Sequence, residues 1–322
     1  MRRRMIKVLR FLPLVRLKPM KTFWHRLGKK SSSPWIRLVN RILCNLGIKG
    51  ARVIGKSPLG NILLRFSVDT PVASKNEIIC IPKDLVIFQS VKNSGTWELE
   101  NCIFLAEAFK SSNNSALKAN TLLDIGANSG MITIQTARLA REPIYAYCVE
   151  PLPINLEALR ANLQKQTQLA DYKIYPFALS REDGIAQIYS EKVNIGNSSL
   201  YEMDKWQDAF NTEIKLRNTS EFIQQEFSDT AVIVLKCDTQ GSEVNILTSF
   251  PRSFWSKIVR GIIEIRSAAN LIPDQIFPIL NSLENYNFLF WGDDSGEKID
   301  LLEIEKFWLE GSGEERDLYF SA

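Results

Sequence analysis

The 322-residue sequence contains a single histidine, His25, and no pair of cysteines spaced as CxxC. One histidine in a basic N-terminal stretch argues against a His-based catalytic mechanism, and we interpret His25 as a surface residue. The five cysteines are odd in number and scattered, which argues against a disulfide framework and against a zinc site. They are Cys44, Cys80, Cys102, Cys148 and Cys237. A reduced compartment is therefore expected.

Long hydrophobic runs are also absent. No stretch approaches the roughly 18 apolar residues that a membrane-spanning helix needs. The longest apolar run of the basic start, Phe11–Val15, is too short for the core of a signal peptide. We expect a cytoplasmic protein, with an organellar transit peptide as the alternative explanation of an Arg-rich, acid-free N-terminus.

Acidic residues are missing from the first 68 positions, which hold 17 Lys or Arg; Asp69 is the first acid. The remainder therefore has 40 minus 17, or 23, bases against 36 acids, a balance of −13. Within this basic segment, the sequence 33–47 predicts an amphipathic helix between Ser33 as N-cap and Gly47. Such a helix suits an anionic membrane surface at the inner side of a membrane or an acidic partner. A helix packed on its own domain explains the pattern equally well.

The rest of the chain divides into two parts. Residues 51–118 show apolar runs separated by turn residues, including "LVIFQ", and predict a few strands followed by a helix in "TWELENCIFLAEAFK". From Thr121 onward, strand and helix signals alternate, which predicts a mostly parallel sheet with helices on both faces. We therefore expect a basic extension (1–50), a lead-in subdomain (51–118) and a catalytic domain (119–322).

The stretch "LLDIGANSG" places a glycine-rich turn between a strand ending in Asp124 and a helix. The glycines permit a tight turn, and the helix N-terminus favours an anionic group. A dinucleotide fingerprint would need glycine in place of Asn128, whereas the D-x-G-x-N-x-G form is common in class I methyltransferases, which bind S-adenosylmethionine. Glu150, at the end of the next predicted strand, can accept both ribose hydroxyls; an exposed acid leading a helix is the alternative.

A second motif, "LKCDTQGSE", delivers Lys236 and Asp238 to the carboxyl end of a later strand, where ligands bind in such sheets. Lys236 can keep Asp238 charged and available to accept a proton. Glu243 follows in the first turn of a helix, where it contacts substrate or favours the helix dipole. Glu264, an acid inside the apolar strand "GIIEIR", is expected to approach Lys236 or Asp238. A magnesium site among these acids is conceivable, but no spacing demands one, so none is predicted.

These motifs occur in an order that resembles the FkbM family of S-adenosylmethionine-dependent methyltransferases, over about Trp97 to Arg266. The resemblance implies a Rossmann-like class I fold with a doubly wound, mostly parallel, seven-stranded sheet. It also implies catalytic roles for Asp238, Lys236 and Glu243. The cofactor contacts that it implies are Asp124, Gly126, Ala127, Asn128, Gly130 and Glu150, with the backbone near Ala178 and Leu179 for the adenine.

The family suggests a methyltransferase of EC class 2.1.1 that methylates a hydroxyl group on a glycan, a glycolipid or a secondary metabolite. The alternatives are an NAD-dependent oxidoreductase and a non-catalytic membrane-associated module with a relic cofactor fold. The sequence has no D/N-P-P-Y motif to hold a flipped base, and its catalytic part is net acidic, which argues against a nucleic-acid substrate. Small hydroxyl compounds and glycans are therefore the expected acceptors.

Overall fold

The computed structural model describes residues 51–82, 84–110, 119–140, 142–191, 194–199, 209–227, 232–268, 271–292 and 298–322. These residues belong to one compact unit. The predictions made for residues 1–50, including the amphipathic helix and His25, lie outside the described part. Among the helices described, none has the length and apolar character that crossing a membrane requires.

The lead-in segment folds into a small antiparallel sheet followed by two helices. Its elements are β1 (Ala51–Lys56), β2 (Ile62–Phe66), β3 (Ile78–Ile81), α1 (Leu85–Ser94) and α2 (Leu99–Glu107). The prediction of a strand at "LVIFQ" is wrong, because these residues begin α1. Asp84 caps this helix by accepting hydrogen bonds from the N–H groups of Val86 and Ile87, and Gly95 ends it in a left-handed conformation. Both capping signals are legible in the sequence.

The remaining elements alternate between strands and helices. In chain order they are β4 (Thr121–Ile125), α3 (Met131–Leu139), β5 (Ile144–Val149), α4 (Pro153–Leu163), β6 (Leu169–Tyr175), β7 (Ala178–Ser180), β8 (Gly184–Glu191), β9 (Asn194–Ser199), β10 (Ala209–Asn218), α5 (Thr219–Glu226), β11 (Ile233–Cys237), α6 (Glu243–Leu247), α7 (Arg252–Trp255), β12 (Ile258–Arg266), α8 (Pro273–Leu283), β13 (Phe288–Trp291), α9 (Leu301–Leu309) and β14 (Glu315–Ser321).

Seven of these strands form the central sheet in the order β13-β14-β12-β11-β4-β5-β6. Every neighbouring pair is parallel except the two that involve β14. The chain starts at β4 in the middle, builds outward through β5 and β6, and then returns to β11 on the other side of β4. This reversal opens a crevice at the carboxyl ends of β4 and β11, the usual ligand position in such sheets. The predicted seven-stranded, doubly wound fold is confirmed.

A second sheet, of four strands in the order β7-β10-β8-β9, adjoins this crevice. The sequence predicts a loop at Ile195–Glu202, but Asn194–Ser199 is the strand β9, paired with β8. The prediction misses β10 as well, although Phe210, Ile214 and Leu216 recur at even spacing there, as in a half-buried strand. The rest of the predicted loop lies outside the described residues.

The central sheet is buried on both faces. All five residues of β4 and all five of β11 are buried. Alternate residues of β4 enter opposite cores, since Leu123 packs with the elements around α8 and α9 while Leu122 packs with the lead-in segment, α3 and α4. The lead-in segment therefore shares a hydrophobic core with the sheet, which fixes α2 beside the crevice.

Candidate active site

The glycine-rich turn after β4 has the left-handed backbone that its sequence suggests. Gly126, Asn128 and Gly130 have φ values of 82°, 50° and 80°. The N–H groups of Gly126 and Ala127 both donate to the carbonyl of Val149, each at 3.0 Å. This turn is therefore hydrogen-bonded to the end of β5, and Glu150, the next predicted cofactor contact, follows directly after that strand.

An amide side chain fixes the same turn from behind. The Nδ2 group of Asn162 donates to the carbonyl of Ser129 at 2.8 Å and to the carbonyl of Cys80 at 2.7 Å. Its Oδ1 accepts the N–H of Cys80 at 2.7 Å. Gly130 packs against α4, because a Cβ there would lie 2.7 Å from a methyl group of Leu159. The lead-in strand β3 and helix α4 thus hold the turn in place.

Two buried carboxyl groups flank the turn. Asp124 Oδ2 accepts the hydroxyl of Thr133 at 2.5 Å, and burial raises the pKa of Asp124 to about 6. Glu150 accepts the N–H of Asn128 at 2.9 Å and that of Leu152 at 2.8 Å, while burial raises its pKa to about 7. Burial shifts both groups toward the neutral form, so a ligand that donates hydrogen bonds to them restores part of the solvation that folding removes.

Two cavities open on either side of the turn. The first is lined by the predicted cofactor residues Gly126, Asn128, Glu150, Ala178 and Leu179. The second, of about 260 Å³, is lined by Asp124, Ala127, Lys236 and Glu98, among others. The two cavities share four lining residues, namely Gly126, Asn128, Asp238 and Gln240. The ends of β4 and β11 therefore form a common wall, and Gly130 alone of the predicted cofactor residues lines neither cavity.

Several buried polar atoms in these cavities have no hydrogen-bond partner within the described structure. They are Asn128 Oδ1, Asn155 Oδ1 and Ser129 Oγ. Asn155 lines the first cavity, Ser129 the second and Asn128 both. Because an unpaired buried polar atom is costly, these atoms indicate a site that is completed by a polar ligand extending across the shared wall.

The carboxyl end of β11 carries the second motif. Lys236 Nζ lies 2.7 Å from Asp238 Oδ2, and the two side chains are 3% and 26% exposed, so the ion pair is largely shielded from water. Gln240 bridges two acids, donating from Nε2 to Asp238 Oδ1 at 3.0 Å and to Glu264 Oε2 at 2.6 Å. Glu264 thus does approach Asp238, as the sequence suggests.

The charge states in this cluster follow from the contacts. Burial alone favours neutral Asp238, but Lys236 and the bonds from its neighbours outweigh burial and hold the pKa of Asp238 below its ordinary value. Burial likewise favours neutral Lys236, yet Asp238 and Glu98 raise its pKa well above the ordinary value. Asp238 is therefore a carboxylate at neutral pH, able to accept a hydrogen bond from a hydroxyl group.

Glu243 stabilises the turn beside this cluster. Its Oε1 accepts the N–H and the hydroxyl of Thr239, at 2.7 and 2.8 Å, and its Oε2 accepts the N–H of Gly241 at 2.9 Å. The hydroxyl of Ser199, in β9, donates to the carbonyl of Gln240 at 2.7 Å. Both oxygens of Glu243 are occupied by the turn, so the geometry favours a positioning role over the predicted contact with reacting atoms.

Sequence inspection misses further acids beside the crevice. Glu98, at the start of α2, and Glu315, in β14, line the second cavity, and Asp317 adds its charge to the field around Lys236. No sequence motif marks these residues, and Glu315 and Asp317 reach the site because β14 pairs with β12. Within the described ranges, no group of three or more His, Cys, Asp or Glu side chains is arranged to hold a metal ion.

Comparison with known proteins identifies related chains. The family model "Methyltransferase FkbM domain" matches residues 124–290, just over half of the chain. The curated protein "Methyltransferase 1" of Beauveria bassiana (strain ARSEF 2860) is 23% identical over 161 residues, which cover 45% of this chain and 64% of that protein. The chain thus spans less than two thirds of this relative.

Solved structures give weaker similarities. The methyltransferase FkbM of Methylobacillus flagellatus KT superimposes with a TM-score of 0.37 and 16% identity, covering 63% of this chain and 43% of its own. The precorrin-6y C5,15-methyltransferase of Geobacter metallireducens GS-15 has a TM-score of 0.32 and 11% identity, covering 69% and 89% of the two chains.

Proposed function

The chain belongs to the FkbM family of methyltransferases, and on this premise we propose that it transfers a methyl group from S-adenosylmethionine to a hydroxyl group. The proposed acceptor is a glycan, a glycolipid or a secondary metabolite, which places the reaction in EC class 2.1.1. The observation that carries the proposal is the pair of cavities that meet at Gly126, Asn128, Asp238 and Gln240. One cavity suits the adenosine end of the donor, and the other suits the amino-acid end of the donor together with the acceptor, beside a carboxylate.

The donor site is assigned to residues around the glycine-rich turn. Glu150 would accept the ribose hydroxyls, and the backbone at Ala178 and Leu179 would lie against the adenine. The N–H groups of the turn and of the α3 N-terminus would face the anionic end of the donor. The orphaned oxygens of Asn128 and Asn155 supply further acceptors for its polar groups.

Bound S-adenosylmethionine supplies an electrophilic methyl group on a sulfonium. The chain's own task is to align the acceptor oxygen with that group and to accept the hydroxyl proton. Asp238 is the proposed proton acceptor, since it lines both cavities and its charge is maintained by Lys236 at 2.7 Å. Gln240 orients the carboxylate, and Glu243 holds the turn that carries Gln240.

Calorimetric titration with S-adenosylmethionine, S-adenosylhomocysteine and NAD tests the donor assignment. We expect binding of the first two and none of NAD, with Asp124→Ala and Glu150→Ala each weakening affinity about tenfold or more. Transfer of a labelled methyl group to a panel of sugars, glycolipid extracts and hydroxylated metabolites then tests the reaction. Asp238→Ala should slow transfer while leaving donor affinity nearly unchanged; full turnover by this variant would exclude Asp238 as the proton acceptor.

For residues 1–50 we propose contact with an anionic membrane surface on the cytoplasmic side, because Lys and Arg occur there without any acid. Such contact would bring the active site to a glycolipid acceptor. Cosedimentation with vesicles containing phosphatidylserine should capture the full chain, and deletion of residues 1–50 should abolish capture. Equal capture by neutral phosphatidylcholine vesicles would contradict this proposal.

A further inference from the structure

Glu98 has an unusual position at the start of α2. Its backbone is left-handed, with φ 42° and ψ 52°, a conformation that a long side chain adopts only at a cost. As the N-cap residue it could bond the first turn of the helix, but its side chain makes no capping hydrogen bond. The carbonyl of Glu98 accepts the N–H of Cys102 at 3.2 Å, but its strained position gives the helix no bond from the side chain.

The neighbouring backbone is held firmly in this conformation. Gln135, in α3, brackets Trp97: the N–H of Trp97 donates to Gln135 Oε1 at 3.0 Å, and Gln135 Nε2 donates to the carbonyl of Trp97 at 2.5 Å. Asn101 then donates to Glu98 Oε2 at 3.0 Å. These contacts direct the carboxyl group of Glu98 into the 260 Å³ cavity that it lines together with the glycine-rich turn.

The other carboxyl groups of this cavity already have strong partners. Asp124 accepts the hydroxyl of Thr133, and Glu264 accepts the amide of Gln240. The two remaining acids are paired with bases, Asp238 with Lys236 at 2.7 Å and Glu315 with Arg266 at 3.2 Å. Within the part of the chain that the structure describes, Glu98 has no basic side chain within ion-pair distance. The charge of Lys236 acts on Glu98, but Lys236 is paired with Asp238, so no cation among the described residues bonds Glu98 directly.

The proposed donor carries such a cation. If its adenosine end lies beside Glu150, its amino-acid end must cross the shared wall into the second cavity. That end carries a carboxylate, for which the α3 N-terminus and the orphaned Ser129 Oγ are suitable donors. It also carries an ammonium group, for which a carboxylate in this cavity is a suitable acceptor.

We propose that Glu98 binds the ammonium group of the methyl donor, so that the lead-in segment completes the donor site from outside the stretch matched by the family model. This inference rests on the proposed function. It explains the strained backbone, because the strain places the carboxylate in the cavity.

Calorimetry on the full chain tests the inference without knowledge of the acceptor. The probes are S-adenosylhomocysteine, its deaminated analogue, and 5′-methylthioadenosine, which lacks the whole amino-acid end. Glu98→Gln should weaken S-adenosylhomocysteine binding by about 10- to 100-fold, as expected for a lost charge-assisted hydrogen bond. Binding of 5′-methylthioadenosine should stay within about twofold. Glu100→Gln, which removes a carboxylate of the same helix that does not line the cavity, is the matched control and should change neither affinity.

A double cycle separates an ionic contact from a structural effect. The wild type should bind the deaminated analogue about tenfold more weakly than S-adenosylhomocysteine. Glu98→Gln should bind the two compounds with nearly equal affinity. Glu98→Asn is a second neutral variant, since asparagine tolerates a left-handed backbone better than glutamine. Two results would overturn this inference but not the proposed function: unchanged S-adenosylhomocysteine affinity in a Glu98 variant, or equal losses of affinity for S-adenosylhomocysteine and 5′-methylthioadenosine. If the wild type binds neither of these two compounds, the proposed function is wrong as well.

Discussion

Gly126 and Asp238 are in direct backbone contact: a Cβ atom at position 126 would lie 1.8 Å from the carbonyl oxygen of Asp238. This contact joins the turn after β4 to the turn after β11, so the wall between the two cavities is made of main chain. A backbone carbonyl cannot turn aside as a flexible side chain can. The donor turn can therefore lie this close to Asp238, the proposed proton acceptor, only because residue 126 has no side chain.

Gly126→Ala should destabilise the protein by about 2–5 kcal/mol, from the clash together with a φ of 82°. Gly60→Ala is the control, because Gly60 has a similar φ of 91° but open space around it. There we expect a loss of only about 1 kcal/mol. Urea unfolding measures both free energies, and equal losses would show that backbone conformation rather than contact with Asp238 matters at Gly126.

Lys236→Met should be costly, since it leaves Asp238 and the neighbouring carboxylates without their buried cation. We expect a loss of about 3 kcal/mol in the free energy of unfolding at pH 8 and a smaller loss at pH 5.5, where more of these acids are protonated. Lys173→Met removes a cation from the exposed pair with Glu226, where the lysine side chain is 52% exposed. That control should cost less than about 1 kcal/mol. A similar cost for both variants would contradict a special role for Lys236.

Glu243→Gln should loosen the turn that Glu243 holds. The N–H groups of Thr239 and Gly241 donate to the carboxylate of Glu243. In the ligand-free variant, hydrogen exchange at these two amides should be about tenfold faster or more. Glu221→Gln, in the first turn of α5, is a suitable control because its side chain is 57% exposed. It should leave exchange at the turn unchanged. Unaltered exchange in Glu243→Gln would return this residue to consideration as a direct substrate contact.

The stability of the ligand-free protein should fall as pH rises from about 4.5 to about 7. The pKa of Glu150 rises from 4.5 to about 7 on folding, and that of Asp124 rises from 3.8 to about 6. The folded state therefore binds more protons than the unfolded state in this window, and the stability that this uptake contributes is lost as pH passes the folded pKa values. Urea midpoints at pH 5 and pH 7.5 measure the effect.

Glu150→Gln should flatten this dependence, because it removes one of the titrating groups. The contribution of Glu150 is at most of the order of 3 kcal/mol across the window. A midpoint that rises between pH 5 and pH 7.5 in the wild type, or an unchanged slope in Glu150→Gln, would contradict the assignment of Glu150 as a buried carboxyl group with a raised pKa.

Local sequence determined much of this protein. The alternation of apolar runs and amphipathic segments after Thr121 fixed the parallel sheet, because each pattern has only one way to bury its apolar face. The glycines and Asn128 fixed the left-handed turn. The spacing of Lys236 and Asp238 placed both side chains at the carboxyl end of β11, where they form an ion pair. Even the missed helices α1 and α9 carry capping signals, at Asp84 and in Asp300-x-x-Glu303.

Only the tertiary structure decided which acids share the crevice. Glu98 and Glu315 are far apart in sequence, and no local pattern relates them; the pairing of β14 with β12 and the packing of α2 bring them to the cavity that Lys236 lines. The roles of Glu243 and Ser199 likewise depend on the folded turn, because they form hydrogen bonds with backbone N–H and C=O groups that have no partner within the turn itself. Local structure follows from short-range sterics and periodicity, whereas the electrostatics of a site depends on long-range contacts that sequence spacing does not encode.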